Sequence, residues 1–509
     1  MDENTLTQLL ELETKFAEAQ SMLGDGGVQT QLLMAHLEIL SANSTGTSGS
    51  ELTLEQVADL ITESGSFNLA LTCSTCHQSL FEDDECAALG KLKDNLEPCC
   101  GKMLSTYKDC SELEIAFWWF CLSSPSNCIL TMPNYTRFML TNGVPPALRD
   151  RLWGVLTQSA NANGEVDEYM QTLYGSLNKD LCPDIGIIFK DVSRTFPELS
   201  MFNEYDMKVK FERILNAYSI FDSDMGYCQG LQFIVAPMLF HFKHELKTFN
   251  ALVRLFEMNR LRTIYDNEMS GLNLWFYQFS HILESELPEL GQHFKKLDID
   301  MNIFLSQWFL SFYSITIPFN FLVRMFDVAL FEGVKETLLR VGIVILSQNA
   351  KLLCTIDEPE LIYQHLLSEN CWGVFQNDVD CFINSVTQLN VSNFTSEHLS
   401  SLEQQHKNTE KTHTSNKSVF NKFIATFKST AESVLSAPTS TSSAASSEVH
   451  RESLFSNANS STFSFNEDYE LVENLYKLCL EKGINDPLLE KVKDRLYPLT
   501  QGITPASSA

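Results

Sequence analysis

The sequence predicts an all-α protein. Apolar residues recur at helical spacing along most of its 509 residues, and Phe211, Ile214, Leu215 and Tyr218 form one such face. Few stretches alternate with the period of two that indicates strands, and turn residues are not spaced as in a β-sandwich. The 44% hydrophobic content is normal for a globular protein with a large core.

The amino-terminal third divides by composition into three segments. Residues 1–40 are predicted as short amphipathic helices, because Leu9 and Phe16 belong to an apolar row at helical spacing. Residues 41–50, SANSTGTSGS, have the composition of a linker. Residues 51–135, which contain several cysteines, are predicted as a helical amino-terminal region.

The rest of the chain also divides into three segments. Residues 136–390 carry a dense, almost wholly helical apolar pattern and are predicted as the main domain. Residues 391–465 are predicted as a Ser/Thr-rich linker, partly disordered, with an amphipathic stretch at 418–435. Residues 466–509 are predicted as a carboxy-terminal helical segment.

Charge and the amino terminus limit the class of protein. The chain has 65 acidic and 36 basic side chains, a net charge of −29, which argues against nucleic acid as its partner. Its start, MDENTLTQLLELETKF, lacks the basic and apolar regions of a signal peptide. We therefore expect a cytoplasmic protein whose 14 cysteines are reduced.

One uncharged stretch has to be tested as a membrane span. No charge falls between Asp300 and Arg324, but several polar residues and Pro318 interrupt the stretch. A spanning helix needs about 20 predominantly apolar residues. The sequence therefore favours two core helices separated near Pro318.

Two short motifs carry candidate chemistry. In IIFKDVSRTFPELSMF, Ile188, Asp191 and Arg194 are three residues apart and lie along one side of a helix. Phe196 precedes a proline and is pushed out of the α region, so Arg194 is expected in the last helical turn, able to reach beyond it. The simplest alternative is a surface ion pair between Asp191 and Arg194, worth less than about 1 kcal/mol.

The second motif is a glycine-bracketed turn. In DSDMGYCQGLQ, Gly226 and Gly230 flank Tyr227 and Gln229, so that the backbone can turn sharply and present the glutamine side chain. Taken alone, Tyr227 could equally be a core aromatic residue and Gln229 the first residue of a helix.

In this order and spacing, the motifs I-x-x-D-x-x-R and Y-x-Q-G resemble the signature of the TBC domain, the catalytic domain of Rab GTPase-activating proteins. Residues 142–153, NGVPPALRDRLW, resemble its opening motif. Residues 306–333 resemble its late segment. The late landmarks are Trp308, Phe309, Pro318, Arg324, Asp327, Glu332 and Gly333. The resemblance covers roughly residues 136–375, near half of the chain.

The resemblance has a finer level and one departure. NAYSIFDSDMGYCQG is similar to the yeast Gyp and animal Evi subgroup. The opening motif of the family usually has Arg-Gly before the tryptophan, whereas this chain has Arg149-Asp150. That departure bears on the subgroup more than on activity, since neither of the two signature motifs is touched.

The resemblance implies a mechanism with two side chains supplied to the GTPase. Hydrolysis of GTP needs charge stabilised on the β/γ phosphates and a water aligned with the γ-phosphorus. Arginine matches phosphate oxygens with a planar, always charged group, and an amide can both donate to and accept from a water. By the resemblance, Arg194 is the arginine finger, Gln229 the glutamine finger, and the supporting residues are Asp191, Tyr227, Gly226, Gly230 and Ile188.

The resemblance also implies the partner. It is a GTP-bound Rab-family GTPase that brings its own GTP and Mg²⁺, so no cofactor and no metal ligand is expected from this chain. The protein would be an enzyme activator that regulates vesicle trafficking. The alternative is a catalytically silent TBC-like module that binds a Rab or acts as a scaffold, because fold does not establish activity.

Two further features leave alternatives open. CSTCH at residues 73–77, with Cys86, Cys99 and Cys100, is either a zinc site or a set of reduced, buried cysteines, and the adjacent pair is an awkward ligand pair for one tetrahedron. The stretch 418–435 is either an interfacial helix on anionic Golgi or vesicle membranes or a helix that packs on protein.

Overall fold

The computed structural model describes residues 3–22, 30–42, 52–63, 112–266 and 269–410. Helices dominate these residues, and no strand occurs among them. The predicted fold class, all-α, is confirmed.

The described α-helices follow one another with short connections. In chain order they are α1 Glu3–Met22, α2 Gln31–Ala42, α3 Leu54–Glu63, α4 Glu112–Ser123, α5 Pro125–Thr131, α6 Pro133–Asn142, α7 Pro146–Leu156, α8 Glu168–Leu177, α9 Ile185–Ser193, α10 Ser200–Asn203, α11 Tyr205–Phe221, α12 Leu231–Phe242, α13 Glu245–Met258, α14 Arg262–Tyr265, α15 Ser270–Glu286, α16 Pro288–Lys296, α17 Asn302–Leu310, α18 Phe319–Glu332, α19 Val334–Leu353, α20 Pro359–Leu366, α21 Val379–Thr387 and α22 Ser396–Glu410. Short 3₁₀ helices occupy Glu369–Phe375 and Val391–Phe394.

Local sequence explains where many of these helices begin. Proline is the first residue of α5, α6, α7, α16 and α20. Its fixed φ suits the first helical position, where its missing N–H has no partner to lose. Gly143 and Gly333, both with positive φ, follow the ends of α6 and α18. The chain is therefore cut into short rods that can pack around one core.

Most of the described residues belong to one compact unit, which falls within the bounds Met1–Tyr174 and Asp184–Asn416. Gly175–Pro183 belong to a second unit, and their described structure is the end of α8 followed by a turn. In the main unit, α11 packs against α9, α12 and α13. The apolar face predicted on α11 is buried, including Phe211, Ile214, Leu215 and Tyr218.

The segment predicted as the start of the Ser/Thr-rich linker is helical at its beginning. Residues 391–410 form the second 3₁₀ helix and α22. Leu399 and Leu402 of α22 are buried, and the Leu399 carbonyl accepts a hydrogen bond from Nε2 of Gln278 on α15. The polar composition of this stretch concealed a narrow apolar stripe, which is enough to attach one helix to the core.

The uncharged stretch from Asp300 to Arg324 is divided as predicted. It contributes α17 and the start of α18, with Pro318 immediately before α18. Phe312 and Tyr313 between them have φ of 50° and 61°, so the chain turns there rather than continuing one helix. Within the described residues, no helix is long and apolar enough to cross a membrane.

Two buried ionic clusters join the early helices to the late ones. Arg149 of α7 donates hydrogen bonds from Nε and Nη2 to the Asp327 carboxylate of α18 at 3.0–3.1 Å, and Trp153 Nε1 donates to Asp327 Oδ1 at 2.8 Å. Glu332 pairs with both Arg137 and Arg340. The residues of the opening and late motifs that appear in these clusters are therefore core residues, and their polar groups pair with other residues inside the fold.

Candidate catalytic site

The first site motif lies on α9 and just beyond its end. Ile188 and Asp191 face the interior, and Ile188 is completely buried, so its contribution is to seat the helix. Ser193 is the last helical residue, and Arg194 is the capping residue, with its N–H directed at the Asp191 carbonyl. The sequence predicted Arg194 within the last turn of the helix, whereas the structure places it one residue after the helix ends.

The ion pair between Asp191 and Arg194 is half inside the protein. Asp191 Oδ1 accepts hydrogen bonds from Arg194 Nε at 3.1 Å and Nη2 at 2.6 Å. The Asp191 side chain is only 2% exposed, whereas the Arg194 side chain is 24% exposed. The alternative of an ordinary surface pair is therefore wrong. Nη1 of Arg194 makes no hydrogen bond to the described residues, so that part of the guanidinium is available to another anion.

The loop after Arg194 is fixed by an unusual backbone. Phe196, which precedes Pro197, lies outside the right-handed α region as predicted, but at φ 45°, a value rare for an aromatic residue. Such a conformation costs roughly 1–3 kcal/mol. Packing of the Phe196 ring against Phe202, Phe233 and Phe319 offsets this cost. The backbone that follows Arg194 is therefore held in a single conformation.

The second motif forms the predicted turn between α11 and α12. Gly226 N donates to the Asp222 carbonyl at 2.8 Å, and Gly226 has φ 64°. Gly230 has φ 113°, and a Cβ there would lie 2.7 Å from the Leu310 carbonyl oxygen. Gly230 is therefore required for two reasons, since any other residue would be strained in its backbone and would collide with Leu310.

Tyr227 joins the two motifs. Its hydroxyl lies 2.7 Å from Asp191 Oδ2 and donates a hydrogen bond to it, so the same carboxylate holds Arg194 on one oxygen and Tyr227 on the other. Burial, followed by the neighbouring Asp191, raises the pKa of Tyr227 well above its usual range. The hydroxyl therefore keeps its proton and remains a donor at all ordinary pH values.

Gln229 lies on the part of the turn between Tyr227 and Gly230. Its side chain is half-buried, and its Oε1 has no hydrogen-bond partner among the described residues. An acceptor left unsatisfied in a buried position costs about 1–3 kcal/mol. The carboxamide therefore gains a hydrogen bond if its side chain turns towards a donor.

Sequence reasoning missed three residues that hold the turn. Gln232 Oε1 accepts from Gly230 N at 2.8 Å, and Tyr265 donates from its hydroxyl to the Leu310 carbonyl at 2.8 Å. Arg262 forms ion pairs with Asp222 and Asp224 at the beginning of the turn. Gln232 left a signal in the sequence, because it is a polar residue in the first turn of an otherwise apolar helix.

The segments for which the sequence left a metal site or a membrane helix open lie outside the described residues. Groups of three or more metal-binding side chains are absent from the described residues. The cysteine cluster between residues 73 and 100, with its zinc alternative, lies outside the described residues. The amphipathic stretch 418–435 also lies outside them. Both remain predictions.

The two motifs place a charged guanidinium and a neutral carboxamide on the same part of the protein. Arg194 offers a fixed positive charge with an available guanidinium edge, and Gln229 offers a neutral amide with an unused acceptor. Such a pair can stabilise negative charge and orient a water molecule. Catalysis by this pair would require a bound anion that the other partner of the reaction supplies.

Comparison with known proteins confirms the resemblance to the TBC domain. Residues 146–354 match the family described as the Rab-GTPase-TBC domain. The chain is 29% identical over 251 residues to the GTPase-activating protein GYP5 of Saccharomyces cerevisiae, covering 49% of this chain and 27% of GYP5. It is 33% identical over 230 residues to the human ecotropic viral integration site 5 protein homolog, covering 45% of this chain and 27% of the relative.

These relatives agree with the predicted Gyp and Evi subgroup, despite the departure at Asp150. The matched part of the chain spans about a quarter of their length. Asp150 lies on α7, and its Oδ2 is 3.7 Å from Lys247 Nζ. Among solved structures, the Chlamydomonas flagellar RabGAP TBC domain matches with a TM-score of 0.42 and 22% identity, over 50% of this chain and 83% of that one.

Proposed function

Because residues 146–354 match the Rab-GTPase-TBC domain, we propose that the chain is a GTPase-activating protein for a Rab-family GTPase. One observation supports specific residues for this activity. The carboxylate of Asp191 binds Arg194 with one oxygen and Tyr227 with the other, so a buried group sets the arginine beside the glutamine turn.

Arg194 acts as the arginine finger. Charge spreads over the phosphate oxygens during hydrolysis, and an arginine supplied in trans to a small GTPase accelerates the reaction about 10³–10⁵-fold. The pairing with Asp191 uses Nε and Nη2 and leaves Nη1 for the phosphate oxygens. Preorganisation by a buried carboxylate reduces the side-chain entropy lost when the complex forms.

Gln229 acts as the glutamine finger. A nucleophilic water needs a group that accepts one of its protons and a group that donates to its oxygen, and one carboxamide does both. Oε1 of Gln229 is buried and has no hydrogen-bond partner among the described residues, so the carboxamide can turn towards the water without losing a hydrogen bond of that oxygen. The substrate's own glutamine is then not needed for the water.

The partner is a GTP-bound Rab, which brings GTP and Mg²⁺ to the site. The chain is therefore an activator of another enzyme, and a role in vesicle-mediated transport follows from the class of substrate. Peripheral membrane association through 418–435 belongs to the same proposal.

A hydrolysis screen tests the proposal. The full chain is added to a panel of purified, GTP-loaded Rab proteins, and phosphate release is followed under single-turnover conditions. At least one Rab should be stimulated by wild type and by Arg254→Lys, a control on the exposed pair between Arg254 and Glu257. Binding to a Rab without any stimulation across the panel would instead establish the catalytically silent TBC-like module.

A further inference from the structure

We propose that Gln232 is the residue that positions Gln229, an inference that rests on the proposed function. Gln232 is the second residue of α12 and is 2% exposed. Its Oε1 accepts a 2.8 Å hydrogen bond from the N–H of Gly230. That N–H belongs to the peptide joining Gln229 to Gly230, so Gln232 fixes the peptide plane directly after the Cα of Gln229.

The orientation of the Gln232 amide follows from its neighbours. The Gly230 N–H can only donate, so the oxygen of the amide must face it. The same oxygen lies 3.0 Å from the Tyr227 hydroxyl, which is itself 2.7 Å from Asp191 Oδ2. The hydroxyl has one proton, and the charged carboxylate is the stronger acceptor. Tyr227 therefore donates its proton mainly to Asp191, and its hydroxyl stays in contact with the Gln232 oxygen.

These contacts form an unbroken line between the two fingers. Arg194 is bound to Asp191, Asp191 to Tyr227, and the Tyr227 hydroxyl touches the Gln232 amide, which holds the peptide after Gln229. The inner members are Asp191, Tyr227, Gln232 and the Gly230 N–H, and each contacts the next. A displacement of one of them should therefore displace a finger. Sequence alone separates its two ends by 35 residues, from 194 to 229.

The chemistry of residue 232 is narrowly constrained. The first turn of α12 is otherwise apolar, and a buried amide there is unfavourable unless it is hydrogen-bonded. Asparagine is one methylene too short to reach Gly230 N, and methionine has the length but no comparable acceptor. Glutamate would add a second carboxylate that competes with Asp191 for the single Tyr227 proton.

The turn is thus clamped from both sides. The Leu310 carbonyl lies against Gly230 on one side, and the Gln232 amide holds the Gly230 N–H on the other. Loss of the second contact leaves a buried N–H without an acceptor and lets the peptide rotate. Because small misplacements of a catalytic group cost much of its effect, the loss should appear in the chemical step.

The test compares Gln232→Met with a matched control. Gln278→Met makes the same change at another fully buried glutamine, which donates to the Leu399 carbonyl on α22. On a Rab that responds to wild type, Gln232→Met should lower kcat about tenfold with KM changed less than twofold. Gln278→Met should leave kcat within about twofold, although both variants lose a buried hydrogen bond.

Two further measurements separate position from stability. Hydrogen exchange of the peptide containing Gly230 should accelerate in Gln232→Met and not in Gln278→Met. In a Gln229→Ala background, Gln232→Met should cause no additional loss in single-turnover rate, since there is no longer a side chain to position. Gln232→Asn serves as the second variant if the methionine variant unfolds.

The outcomes distinguish this proposal from the one on which it rests. Unchanged kcat and unchanged exchange in a folded Gln232 variant would overturn the positioning role, even with a fully active wild type. An equal loss of rate in the presence and absence of the Gln229 side chain would also overturn it. A wild type that stimulates no Rab would instead defeat the proposed function, and exchange at Gly230 would still report whether Gln232 holds the turn.

Discussion

The hydroxyl of Tyr227 donates a 2.7 Å hydrogen bond to the carboxylate of Asp191, which lies 36 residues earlier in the chain. Through this contact, the helix that ends at Arg194 and the turn that carries Gln229 share one buried anion. The two motifs are therefore parts of one site.

Arg194→Lys should reduce stimulated hydrolysis at least about 100-fold while the protein remains folded. Lysine keeps the charge but cannot bind Asp191 and a phosphate oxygen with separate nitrogens of one planar group. The loss should lie in kcat, because the charge develops in the transition state. Single-turnover phosphate release measures it, with Arg254→Lys as the control. A variant that retains more than half of the wild-type rate would exclude Arg194 from this role.

Gln229 should make the glutamine of the GTPase dispensable. A Rab whose own catalytic glutamine is changed to leucine should still be hydrolysed when the wild-type chain is added, and Gln229→Ala should lose that activity. Both rates are measured with Arg194 intact. If stimulation disappears with the leucine-substituted Rab but persists with Gln229→Ala, the glycine-bracketed turn has only a structural role.

Tyr227→Phe should lower kcat about tenfold with little change in KM, because the phenyl ring keeps the packing and loses the hydrogen bond to Asp191. The measurement is the same single-turnover assay. Tyr169→Phe is the control, since Tyr169 is 71% exposed. Full activity of the phenylalanine variant would mean that Asp191 holds Arg194 without help from the turn.

Asp327→Asn should destabilise the fold by about 3–5 kcal/mol, because it leaves the buried Arg149 without its countercharge. Urea unfolding of the full chain measures the free energy. Asp206→Asn, which removes only a partly exposed i,i+4 pair with Lys210, should change it by less than about 1 kcal/mol. Equal effects of the two substitutions would show that the interior pair contributes no more than a surface pair.

His36 should make the fold sensitive to mild acid. Burial lowers the pKa of this α2 side chain from 6.5 to about 4, and the nearby Glu332 opposes the shift only in part. Protonation therefore favours the unfolded chain, so stability is present above pH 6.5 and is lost as the pH falls towards 4. Between pH 7.5 and 5.5 the contribution of His36 to the free energy of unfolding should fall by about 1 kcal/mol.

The pH dependence is measured by urea unfolding at those two pH values. His36→Gln, which cannot titrate, should remove about 1 kcal/mol of the difference. His281→Gln, a change in an exposed histidine, should leave it in place. An unchanged pH dependence in His36→Gln would contradict the assignment.

The sequence by itself determined the helical class and the two motifs of the candidate site. Helical spacing on α11 and the proline starts of several helices are local properties of the chain, so they could be inferred from it. The turn could also be inferred from its glycines, because Gly226 and Gly230 adopt positive φ, which glycine adopts without strain. The resemblance then implied roles for Arg194 and Gln229.

Only the tertiary structure decided what surrounds these residues. Burial makes Asp191–Arg194 a half-buried pair, where the sequence also allowed an ordinary surface pair, and the Leu310 carbonyl meets Gly230 from a segment 80 residues away along the chain. Composition also made 391–410 look like a linker, although two leucines attach it to the core. The reason is common to all three, since burial and hydrogen bonding depend on which distant segments meet, and local spacing carries no record of that.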